Sequence, residues 1–107
     1  MPETIDLNLE NYTTREYTGL TSSNGQIVAV PDRARDIAVT YVPTAAGTAS
    51  IKYGVRAETP TNFTDMPKTS IGDFSATGGQ EIQPGVRWIG LDPASGTWTL
   101  RVSYKML

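Results

Sequence analysis

A chain of 107 residues has the length of one domain, with no room for a second core. It contains no cysteine and no histidine, which excludes disulfide frameworks, thiolate nucleophiles, Cys/His zinc sites and a histidine general base. Nine basic against eleven acidic residues leave a net charge of −2, so no strong field draws the chain to nucleic acid or an anionic membrane.

The opening MPETIDLNLE is acidic and lacks an apolar signal core, so no secretory signal is expected. No apolar run approaches the roughly 20 residues of a membrane span. Fifteen threonines stand against three lysines and three methionines. Threonine is β-branched and suits a pleated surface, while good helix formers are scarce. The composition is that of an all-β domain.

In chain order, residues 1–25 are polar, with Ile5, Leu7 and Leu9 alternating, then Tyr12, Tyr17 and Leu20 among Asn, Thr, Ser and Glu. Such a stretch supplies either the first two strands or an N-terminal arm that orders on a neighbour. Gln26–Val30 is a short apolar strand, and Pro31–Ala38 is the nearest approach to a helical turn. Ile37, Val39 and Tyr41 then alternate with Ala38, Thr40 and Val42. After Pro43–Gly47 the alternation resumes through Ala49, Ile51, Tyr53 and Val55, which reads as a β-hairpin.

Glu58–Gly79 is rich in Thr, Pro, Asn and Asp, anchored by Phe63, Met66, Ile71 and Phe74. It reads as a long loop or a few irregular short strands. Gln80–Gln83 is a further strand candidate before Pro84-Gly85. Val86–Leu91 and Thr97–Lys105, joined by Asp92–Gly96, read as a second hairpin. In the last run Trp98, Leu100, Val102 and Tyr104 share one face, and a one-residue slip would bury two cations. The expected fold is a single domain over 1–107, an antiparallel β-sandwich or small jelly roll of six to eight strands.

Catalytic signatures are missing from the sequence. Glu58, Asp65, Asp73, Glu81 and Asp92 fall in expected loops or strand ends, where acids favour turns. Gly78-Gly79 lacks the strand–loop–helix and lysine of a phosphate loop. Asp65 and Asp73 lack calcium-loop spacing. The chain is therefore expected to be no enzyme, with no metal and no cofactor. Lys52, Arg56, Arg101 and Lys105 form a basic set on outward faces, without the aromatic platforms of a nucleic-acid site.

Two segments look apolar on both faces: Ile27–Val30, and Val86–Leu91 with Trp88 on one side and Ile89 and Leu91 on the other. Isolated monomers seldom expose large apolar patches, so a subunit or partner is expected to cover them. The candidate interface residues are Tyr12, Tyr17, Leu20, Trp88, Ile89 and Leu91.

Ile37–Tyr53 (IAVTYVPTAAGTASIKY) followed by Gln83–Tyr104 (QPGVRWIGLDPASGTWTLRVSY) resembles small all-β virion proteins of tailed bacteriophages, over roughly residues 34–105. The resemblance implies a capsid decoration, or cement, protein made in the host cytoplasm and carried on the capsid surface. Its implied partners are the major capsid protein or other virion proteins, together with self-association, and neither nucleic acid nor membrane. The other reading is a carbohydrate-binding or tail- or fibre-associated module, with Trp88, Asn62, Asp65 and Asp73 around a glycan.

Overall fold

The structure, a computed structural model, describes residues 12–55, 59–63, 66 and 68–106, with the backbone alone described for 68–73. Ile5, Leu7 and Leu9 lie outside the described residues. The strands are β1 (Tyr12–Leu20), β2 (Gln26–Ala29), β3 (Ala34–Ala45), β4 (Ala49–Gly54), β5 (Lys68–Phe74), β6 (Gly78–Ile82), β7 (Trp88–Pro93) and β8 (Thr97–Met106). They form two antiparallel four-stranded sheets, ordered β1-β8-β3-β6 and β2-β7-β4-β5. The chain is a β-sandwich.

Its pairings have a simple logic. β1 meets β8, β2 meets β7, β3 meets β6 and β4 meets β5, as in one long hairpin of eight strands. Rolling that hairpin up adds β3 against β8 and β4 against β7. This is the topology of a jelly roll.

β8 sits centrally in the first sheet and alternates as its sequence demands. Trp98, Leu100, Val102 and Tyr104 are buried, while Arg101 is exposed. Trp98 donates its indole N–H to the Ser95 carbonyl at 3.0 Å, so its one polar atom is satisfied inside the core. β3 reaches the same core through a bulge. Its register against β8 slips between Arg35 and Ala38, and Asp36 there has φ 52°. The extra residue lets both Ala34 and Ile37 point inward although three positions separate them. Aspartate is among the few side chains that tolerate this backbone region. Pro31–Ala38 therefore holds a turn at 32–33 and the start of a strand, rather than a helical turn.

Neither expected hairpin forms. β3 and β4 lie in different sheets, and so do β7 and β8, so Pro43–Gly47 and Asp92–Gly96 both carry the chain across the sandwich. Among the described strands only β4 and β5 are consecutive within one sheet. A short Pro/Gly connection between two alternating runs looks the same whether the runs pair or face each other. Strand partners decide the matter, and they are non-local.

The two crossing connections lock together. Thr48 accepts from the Ala94 and Ser95 amides at 2.9 and 3.1 Å, and its own amide donates to the Ser95 hydroxyl at 3.0 Å. A β-carbon on Gly47 would run into the Ser95 carbonyl. One on Gly96 would stand 2.6 Å from the Ala45 oxygen, and Gly96 also has φ +80°. Beside this lock, Phe74 of β5 stacks on Tyr41 of β3 at 3.7 Å between centroids and meets Trp98 edge-on at 5.3 Å. These rings tie the two sheets together.

The lock makes a graded prediction. Gly96→Ala is expected to lower unfolding stability by about 3 kcal/mol, combining backbone strain with a collision. Gly85→Ala, also at positive φ (+98°) but with nothing within 4 Å, is expected to cost about 1 kcal/mol. Urea unfolding of both variants at unchanged m-value checks the difference.

Candidate functional site

The expected interface residues separate into two groups. Leu20, Ile89 and Leu91 are 3%, 0% and 0% exposed and belong to the core between the sheets. They are withdrawn as contact residues. Leu20 turns inward because β1 carries a bulge at Gly19 (φ 70°), which sets Leu20 opposite Trp98. Ile89 and Leu91 share the inward face of β7, leaving Trp88 and Gly90 outward. Tyr12 and Trp88 remain half-buried on outward faces of different sheets, whereas the half-buried Tyr17 stands opposite Leu100 and packs against the core.

The outward face of the second sheet is covered by the chain itself. Phe63 and Met66, from the connection between β4 and β5, lie over it, and the Met66 amide donates to the Phe63 carbonyl at 3.0 Å. The Phe63 ring rests where β-carbons on Gly25 and Gly90 would stand, 2.8 and 2.7 Å from the nearest ring carbons. Met66 is 1% exposed, with its Cγ 3.5 Å from the position of a β-carbon on Gly54. The segments that looked sticky on both faces thus have an internal lid of one phenyl ring and one thioether. Val28 and Val30 are buried inward, and on the other side Ile27 is half-buried and Ala29 exposed.

The expected basic set does not form one patch. Lys52 belongs to the second sheet, Arg101 and Lys105 to the first, and Arg56 lies outside the described residues. Lys52 bonds Asp92 at 2.8 Å, with its ammonium 6.0 Å from the centroid of the Phe63 ring. Arg101 pairs with Glu16 across β1 and β8, and Arg87 holds Asp32 at 2.8 Å. Arg15 is exposed on edge strand β1. Its hydrogen bond with Tyr17, and then the charge interaction with Tyr104, hold its guanidinium above the usual range. It stays charged at every working pH.

Of the glycan set, Asn62 is exposed, Asp65 lies outside the described residues, and Asp73 falls on β5 with only its backbone described. Among the described residues, no group of three or more acids could hold a metal ion. One open depression is lined by Asp36, Glu81, Ile82, Gln83 and Pro84, at the β6 edge of the first sheet. The bulge that places Asp36 there was not readable from the sequence, because alternation in β3 becomes regular only after it.

No family model matches the chain, and no curated protein matches it. A solved chain of the Bacillus endospore appendages, described as a novel family of disulfide-linked pili, is similar at a TM-score of 0.47 and 14% identity, over 91% of this chain and 87% of that one. A likeness at that level carries no argument about what this chain does, and the present chain has no cysteine.

The lid yields a prediction. Phe63→Ala should cost about 1 to 3 kcal/mol, less than for a fully buried phenylalanine, and should raise binding of a hydrophobic dye to the folded protein. Gly90→Ala, which displaces the same ring, should reproduce the dye signal. Dye fluorescence under native conditions checks both.

Proposed function

We propose that this chain is a structural virion protein, a decoration protein that stabilises a tailed-phage head by binding across capsomers. The observation that carries the reading is shape. The sandwich is a tile with extents of 37 × 35 × 18 Å. Either broad face offers roughly the 800 Å² that one partner contributes to a standard interface. On the outward face of the first sheet, Thr14, Glu16, Thr40, Arg101 and Ser103 lie on neighbouring strands as a polar surface.

Such a protein acts by added contact area and not by bond chemistry. Its half-buried aromatic side chains Tyr12, on the first sheet, and Trp88, on the second, are the natural anchors, since aromatic residues dominate interface energetics. Truncating an anchor that makes such a contact weakens binding by about 1 to 4 kcal/mol while the fold persists.

The test is copy number on particles from the source, counted by quantitative mass spectrometry. Hundreds of copies per particle are expected. A handful would move the protein to the tail or fibres and favour the glycan reading. Absence from any particle would overturn the virion assignment. On particles stripped of the protein, Trp88→Ala is expected to rebind at least tenfold more weakly than the parent chain.

A further inference from the structure

Among the described residues six charged side chains make no ion pair, Arg15, Arg33, Arg35, Asp36, Glu81 and Lys105, and the last four gather at one corner of the first sheet. Lys52, Arg87 and Arg101 hold Asp92, Asp32 and Glu16. Arg35, Asp36, Glu81 and Lys105 make no ion pair among the described residues. Arg35 and Lys105 are register partners on adjacent strands, so two cations face each other directly. Like charges in that position repel and destabilise the pairing.

The acids are grouped in the same way. Asp36 and Glu81 line one open depression with Ile82, Gln83 and Pro84. Glu81 stands opposite Ala38, and Ala38 opposite Ser103, one outward position along β8 from Lys105. The corner therefore carries two cations that are register partners beside two anions that line one depression. Arg35, Asp36 and Glu81 are exposed, and Lys105 is partly so.

We propose that this corner is a self-complementary interface that takes a second copy of the chain about a twofold axis. Arg35 and Lys105 of one copy face Asp36 and Glu81 of the other, and the exchange occurs twice. A twofold contact uses the same patch on both partners, so that patch must carry both signs. Across the axis each like-charged pair gains opposite charges without altering either sheet. The depression admits the partner's side chains, with Pro84 and Gln83 at its exposed rim. This inference does not depend on the virion reading, because the pair forms in free solution.

Sedimentation velocity on the full chain tests it. The parent chain is expected to dimerise at low salt and to lose at least tenfold in affinity when salt is raised to about 0.5 M. Two charge variants are then compared: Arg35→Glu with Lys105→Glu, and Asp36→Asn with Glu81→Lys. Asparagine keeps the tolerance for positive φ at position 36. Each variant alone is expected to be monomeric, because its corner carries one sign only. Mixed, they should form a heterodimer, a result that misfolded variants would not produce. A parent chain that stays monomeric at millimolar concentration overturns the proposal. So does a dimer that both variants leave intact, or a mixture that shows no heterodimer.

Discussion

The interlock of the two sheet-crossing connections is the constraint on which the sandwich depends. Gly47 and Gly96 let the segments 43–48 and 92–97 touch backbone to backbone. Three hydrogen bonds between Thr48 and the Ala94–Ser95 pair then join the two connections at the end of the sandwich. Because β3 and β4 leave one connection while β7 and β8 leave the other, this contact sets the spacing of four strands at once. Those strands are the central pairs of the two sheets, β8 with β3 and β7 with β4. Trp98 fills the space just beneath, anchored to the connection through Ser95. A side chain on either glycine would separate the two connections and, with them, the sheets.

Around that centre the edges are finished in different ways. β1 closes one side of the first sheet with the exposed Arg15, and a charge on an edge strand discourages strand addition by other chains. β6 closes the other side as a short strand whose Gly78 leaves room for the Tyr41 phenol. The second sheet is sealed on its outward face by Phe63 and Met66, which need the flat glycine positions beneath them. Close packing on both sides of that sheet explains why β7 contains three consecutive buried residues, Ile89, Gly90 and Leu91. An outward apolar run in the sequence was thus a sign of a lid within the chain.

The candidate surface was partly legible. Trp88 and Tyr12 do reach the surface, whereas Leu20 was misplaced because the Gly19 bulge changes the parity of β1. Ile89 and Leu91 were ambiguous for another reason: both faces of β7 are apolar, and periodicity cannot choose between two buried faces. The grouping of Arg35 with Lys105 and of Asp36 with Glu81 had no sequence signal. Lys105 is some 70 residues from Arg35 in the chain, and only the β3–β8 register makes them neighbours.

The sequence by itself determined that the chain is β, where most strands run, and which face of β8 is buried. Those properties follow from local chemistry: β-branched side chains, glycine and proline at the turns, and a period of two that needs no knowledge of the partner. Tertiary structure alone decided that the two apparent hairpins are crossings between sheets, that Phe63 covers the second sheet, and that unpaired charges gather at one corner. Each of these rests on contact between segments distant in sequence. Alternation reports that a strand has a dry side, but the identity of the strand beside it is set by how the whole chain rolls up.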